Sequence, residues 1–372
     1  MNDIVKLGTL GDIFIGLTYH PEDVSGEGIV VLRSSNIQNG RLDFNDTVRV
    51  KCNVRENLYV KKNDILMCSR NGSAKLVGKC TLLPELDEPM SFGAFMTVIR
   101  TEHNSYLIHF FNSNAFRRQL GSAATSTINQ ITRKMLDNIE VAVYPVDEEK
   151  HIVEVLDNID SLIYNQYEQL ECLDELVKSR FIEMMKQGAA SNFLEEFITP
   201  YKAERCGEKD LPVLSITKED GIVLQNEKFK KRIASVDTTT YKMVPMGKLV
   251  QGIHIDERNF AIQNIVDVGI VSPAYKVWTV NENRAIPEVL AYAMRTDASM
   301  SYIRSKFTGS IKRRETISYE DFMAMPINLP KITLQKEFAD FVKQTDKLKL
   351  AAQETLNELE ILKKSLMQKY FG

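Results

Sequence analysis

The chain repeats itself about its midpoint. Setting residue i beside residue i+186 superposes Lys150 on Lys336, Asp160 on Asp346, Leu162 on Leu348, Glu168 on Glu354 and Leu170 on Leu356. It also superposes Leu173 on Leu359, Leu176 on Leu362, Lys178 on Lys364 and Ser179 on Ser365. These identities share one ungapped stretch with the apolar positions in phase, more than two unrelated helices would be expected to share. Upstream the match fades without vanishing: Val31-Leu32 falls near Val213-Leu214, Tyr59 near Tyr241, Leu66 near Leu249 and Pro145 near Pro330. Each half is therefore a divergent globular segment followed by a similar helix, and 372 residues suffice for two or three domains.

The helices are the clearest segments. From Asp147 to about Lys186, Ile152, Leu156, Ile159 and Ile163, then Leu170, Leu173 and Val177, recur at three- and four-residue spacing with no internal Gly or Pro. That is an amphipathic helix with a heptad seam, about 60 Å long at 1.5 Å per residue. From Thr333 to Tyr370 the phase returns through Phe338, Val342, Leu356, Leu359 and Leu366. Pro145 and Pro330 precede the two helices, where proline is harmless, and Asp147, Glu148 and Glu149 place negative charge on the first turn.

The globular segments read as α+β. In the first, GIVVLRSSNIQNGRL, NLYVKKNDILMCSR, AKLVGKCTLL and GAFMTVIR are short β-rich runs broken by Asn, Gly and Asp. A helix over Tyr106 to Leu120, a polar stretch, a short helix near Arg133 to Leu136 and the strand IEVAVYP follow. The second segment repeats that order, with a helix predicted from Pro287 to about Lys306 and a basic loop after it. The predicted architecture has two pseudo-symmetric α/β domains, residues 1–146 and 191–330, and two long helices, 147–190 and 331–372, paired as an antiparallel coiled coil.

Charge supports that pairing and restricts the partners. The 47 Lys and Arg nearly balance 50 Asp and Glu, so no global field advertises a polyanion, and any such partner must meet local patches. The acidity is concentrated instead: residues 147–190 carry 4 basic and 11 acidic side chains, and residues 331–372 carry 8 and 6. The acidic helix can lie beside the basic one without severe repulsion. Five cysteines without a C-x-x-C pair argue against a disulfide framework and a zinc site. Acidic Asp3 stands where a signal peptide needs basic charge, and there is no long apolar run, so a cytoplasmic protein without a membrane segment is expected.

Enzyme motifs are scarce. The stretch GSAKLVGKC from Gly72 has one residue too many between its glycines for a Walker loop, and Cys80 stands where Mg²⁺ needs a hydroxyl. Gly26-Glu27-Gly28 is a lone G-x-G, and the five histidines are scattered. Glu148-Glu149-Lys150 could supply the carboxylates and lysine of a nuclease, but the second half has Leu334-Gln335-Lys336, and acidic residues suit a helix start in any case.

Binding chemistry remains. Thr308, Ser310, Lys312, Arg313 and Arg314 gather cations and hydroxyls in one loop, suited to phosphate contacts and to pairing of Arg with guanine. Its counterpart holds Ser126, Thr127 and Asn129, which can hydrogen-bond to bases or phosphates or simply form a polar turn. Arg33, Ser34 and Asn36, and again Arg70, Asn71 and Ser73, sit where a strand gives way to a turn, a place that also suits ordinary capping.

The order of parts resembles the specificity subunit of type I restriction-modification systems. The passage that carries the resemblance runs STINQITRKMLDNIEVAVYPVDEEKHIVEVLDNIDSLI from Ser126, echoed by RRETISYEDFMAMPINLPKITLQKEFADFVKQTDKL from Arg313. It departs from the family pattern in having one Pro in the first turn and Leu334-Gln335 where Glu-Gln is usual. The resemblance implies a non-catalytic reader of double-stranded DNA, in which each target recognition domain reads one half of a bipartite, asymmetric site. The helices would set the spacer and dock two methyltransferase subunits, with a restriction subunit as an optional addition. It implies that S-adenosylmethionine, ATP and Mg belong to those partners and that this chain binds no cofactor. A helical scaffold with two protein-binding heads is the alternative, and it predicts no salt-dependent DNA affinity.

Overall fold

A computed structural model describes residues 3–122, 130–187, 192–217, 221–228, 237–308 and 317–372. Its contacts divide the chain into two compact units, one of residues 1–168 with 353–372 and one of residues 169–352. The units divide inside the two long helices, not at their ends, so each globular domain owns a piece of both.

In the first unit the central sheet has the order Asp12–Ile15, Met96–Arg100, Ile65–Cys68 and Cys80–Leu82, all antiparallel. Alternation along its strands covers both faces. Ile65, Met67 and Ile99 face a core shared with Tyr106, Phe110 and Phe116, whereas Leu66, Cys68 and Val98 face a core shared with Val30, Leu32 and Phe92. The second face is closed by another sheet, in which Met90–Phe92 lies parallel to Ile29–Leu32, followed by Arg49–Val50 and Val24–Ser25. Ile37–Gln38 and Arg41–Leu42 form a hairpin whose two central residues, Asn39 and Gly40, have φ of 50° and 73°. Positive φ at both positions is what a two-residue hairpin turn requires, and Asn-Gly supplies it with little strain.

Asn104–Phe111 and Asn114–Ser122 cover the other face as two helices, where the sequence predicts one from Tyr106 to Leu120. The break has a local cause, because the Ser113 hydroxyl accepts the Phe116 N–H at 3.3 Å and starts a new helix.

The second unit repeats this plan. Its sheet order is Ile198–Pro200, Lys276–Val280, Leu249–Gln251 and Phe260–Ile262, again antiparallel throughout. Leu249, Phe260 and Trp278 face one core, and Val250, Ala261 and Val277 face the other. Val213 bridges in parallel to Ile270, echoing the parallel pair of the first unit. The helix predicted from Pro287 to Lys306 is likewise two, Pro287–Met294 and Asp297–Ser305, with Thr296 capping the second by accepting the Ser299 N–H. Leu66 and Leu249, placed near one another by the repeat, lie on corresponding strands of the two sheets but face different sides of them.

The long helices span Val146–Lys186 and Ile332–Phe371. Within the first unit their segments run antiparallel, with Asp160 paired to Lys363 and the Tyr167 hydroxyl donating to Glu360 at 3.0 Å. Within the second, Lys349 meets Asp174 at 2.5 Å. Basic groups of one helix thus face acidic groups of the other, as the charge asymmetry predicts.

The seam residues do more than hold a coiled coil. Ile152 and Leu156 are buried in the first domain's core, and Val177 and Phe338 in the second's, with Val342 packed against the latter. Ile159 and Leu356 are also buried, while Ile163, Leu170, Leu173, Leu359 and Leu366 are half-buried. Aromatic contacts tie the first domain to the second long helix, where Tyr106 and Phe110 meet Phe371, and the second domain to both helices, where Tyr292 meets Phe181 and Phe338.

The helix starts carry equivalent polar ties. Glu149 takes the His103 Nδ1 at 2.8 Å. The residue superposed on it, Gln335, is fully buried, accepts the Ile286 N–H at 2.9 Å and donates to the Arg284 carbonyl at 3.0 Å. His103 and Ile286 stand at matching places just before the domain helices, so Glu149 of the acid-rich fragment ties the helix start to the domain. No helix among the described residues is long and apolar enough to cross a membrane.

Candidate nucleic-acid interface

The polar candidates of the first domain converge at the ends of two strands. Ile29–Leu32 runs into Arg33 to Asn36, Ile65–Cys68 runs into Ser69 to Ser73, and the two turns meet where Asn71 Nδ2 donates to Ser34 Oγ at 3.2 Å. The roles then divide. Asn36 is fully buried, its amide donating to the carbonyls of Asp43 and Asp46 while its side-chain oxygen accepts the Arg33 N–H, so it builds the loop and cannot read a base. That corrects its reading as a DNA contact. Asn71 is likewise engaged, since its oxygen accepts the Ser73 N–H at 2.9 Å. Arg33 pairs with Asp46 at 2.7 Å.

Arg70 and Ser73 remain exposed. Burial holds the Cys68 thiol above its ordinary pKa, against lowering by hydrogen bonds from its neighbours, and the protonated thiol donates to the Arg70 carbonyl at 3.6 Å. The turn carrying Arg70 is thereby fixed from inside. Arg70 also forms an antiparallel bridge with Gln130, and the Ile131 N–H reaches Ser69 O at 2.7 Å.

Ser126, Thr127 and Asn129 lie outside the described residues, as do Ser310, Lys312, Arg313 and Arg314. Thr308 is described and exposed. Sequence reasoning passed over Phe95, an aromatic ring 58% exposed at the turn before Met96–Arg100, because GAFMTVIR reads as an uninterrupted strand. Its only signal was the Gly93 just before it. Gly16 packs against that turn, where a Cβ would come within 2.1 Å of the Gly93 carbonyl oxygen, so only glycine fits.

Two mixed α/β domains built to one plan, each with a share in two long helices, define a duplicated module. Residues 2–172 match the family model of the type I restriction modification DNA specificity domain. Residues 2–172 thus form a domain of the type I restriction-modification specificity family. It is 29% identical over 225 residues to the type I restriction enzyme EcoKI specificity subunit of Escherichia coli (strain K12), covering 58% of this chain and 48% of that protein. It is 30% identical over 197 residues to the StySPI specificity subunit of Salmonella potsdam, covering 50% and 42%. The chain thus spans about half the length of these relatives or less. Over its whole length it shares the fold of the type I restriction-modification S subunit from M. genitalium, with a TM-score of 0.56, 12% identity and 96% of that chain covered. A chain from a structural study of assembly and conformational transition of the type I R-M system gives 0.53, 14% and 97%.

Proposed function

We propose that this chain is the DNA-reading, non-catalytic subunit of a type I restriction-modification complex, each recognition domain reading one half of a bipartite, asymmetric site. The observation that carries the reading is the match of residues 2–172 to a DNA specificity domain, together with repetition of the same strand order in the second unit. Two readers of one plan with different side chains at their rims suit a site whose halves differ. The helices set the spacer between the halves. Lys312, Arg313 and Arg314 remain phosphate or base contacts for the second half, and Ser126, Thr127 and Asn129 for the first.

The long helices also suit docking of two like partners. In the first unit Leu162 and Leu362 are each about half exposed on the two paired segments, and in the second Leu348 and Leu176 are their superposed counterparts. Exposed leucines repeated in this way mark two equivalent contact patches. The partners are methyltransferase subunits that carry S-adenosylmethionine, and restriction subunits that carry ATP and Mg join where they are present. This chain contributes recognition alone.

Exchange of residues 191–330 for another recognition domain, followed by methylome sequencing of cells carrying the chain with its methyltransferase, tests the reading. One half of the methylated motif should change while the other stays. A wild-type complex that methylates without any motif, or a chain with no salt-dependent DNA affinity, would sink the proposal in favour of a protein scaffold.

A further inference from the structure

At the rim of the first domain Arg70 is treated unlike three other arginines of the same domain. Arg33, Arg49 and Arg100 are held in ion pairs by Asp46, Glu88 and Asp64 at 2.7, 2.5 and 2.6 Å. Among the described residues the Arg70 guanidinium meets no carboxylate and no hydrogen-bond acceptor. It lies over the ring of Phe95, 5.3 Å from the ring centroid. That ring is outside the core, yet its backbone is among the most firmly held in the domain. The Phe95 carbonyl accepts the N–H groups of Ser69 and Arg70, both at 3.0 Å, and the Ser69 hydroxyl at 3.1 Å. From the other side Leu17 donates to Phe92 O at 2.7 Å and Gly16 to Met96 O at 3.1 Å. An exposed aromatic ring on a fixed turn, beneath a cation that no described carboxylate neutralises, is a poor solution for stability and a good one for recognition.

We infer that Arg70, oriented by Phe95, reads a guanine in the first half of the DNA site. The inference deepens the proposed function and rests on it. Guanine offers two acceptors, N7 and O6, on one edge, and the planar guanidinium fork matches them with two parallel N–H donors. The ring beneath the fork limits its rotamers before DNA arrives, which lowers the ordering cost of binding. Phe95 is the positioning residue.

The test uses the assembled complex of this chain with its methyltransferase, assayed on duplexes that each change one base pair of the wild-type motif. Arg70→Ala should reduce discrimination at one G·C pair of the first half-site by on the order of tenfold or more, leaving the second half-site and the spacer as they were. Arg70→Lys keeps the charge and stem, so it also serves if the alanine variant fails to fold. It should lose the same discrimination, because an ammonium cannot supply the fork. Phe95→Ala should weaken discrimination at that pair alone. A first half-site without guanine, an Arg70→Lys complex that keeps full discrimination at every pair, or a uniform loss across all duplexes typical of a phosphate contact would each overturn the assignment. Absence of motif-dependent methylation by the wild-type complex would instead refute the DNA-reading function itself.

Discussion

At the scale of single residues, the first domain separates groups that build the rim from groups free to use it. Asp64 is buried and holds Arg100 through two hydrogen bonds of 2.8 and 2.6 Å, while Arg100 also reaches the Tyr59 carbonyl at 2.9 Å. Asp64→Ala would leave a half-buried guanidinium without its counter-charge. It should cost about 3–5 kcal/mol of stability, measured by chemical denaturation of the chain. A loss under 1 kcal/mol would mean that water replaces the carboxylate. The same division explains what the sequence reveals of the site. Runs of Arg, Ser and Asn at strand ends correctly point to turns that meet in space. They do not tell which side chains face inward, because an asparagine amide caps a loop as readily as it reads an adenine. Asn36 and Asn71 take the first role. Phe95 escapes notice for the opposite reason, since an aromatic in a β-rich run is normally core.

Among the elements, the long helices are legible almost to the residue, because forty positions of heptad spacing leave no competing pattern. The paired domain helices are not. Apolar residues continue across Asn112-Ser113 and Arg295-Thr296, so periodicity predicts one helix where a capping hydroxyl makes two. Leu176 and Leu348, both apolar and in phase, read as parts of a helix whose apolar face is covered, yet each is about half exposed in the second unit. If they form a docking patch, the double variant Leu176→Glu and Leu348→Glu should lose one of two methyltransferase subunits and keep the other, bound to the patch of Leu162 and Leu362. Native mass spectrometry of the complex gives the count directly, and retention of both partners would remove the leucines from the interface.

For the whole molecule, the informative feature is the interleaving of the units, the second continuous in sequence and the first made from its two flanks. Removal of residues 353–372 would strip Leu366, Met367, Tyr370 and Phe371 from the first domain's core and leave the second unit's residues complete. The chain has one tryptophan, Trp278, which is buried in the second unit with its indole N–H on Gln251 at 2.9 Å. The truncated chain should therefore keep buried-tryptophan fluorescence while the first domain becomes rapidly cleaved by protease. Equal protection of both domains would show that the C-terminal segment is dispensable. The interleaving also sets an order during translation. A nascent first domain leaves the ribosome with the faces of Tyr106, Phe110 and Leu156 lacking part of their cover, and the covering segment follows only after the whole of residues 169–352. At about 5–20 residues per second that wait is about 10–40 s. The later-encoded domain can thus finish folding first, and the earlier one is the part most in need of a chaperone while synthesis continues.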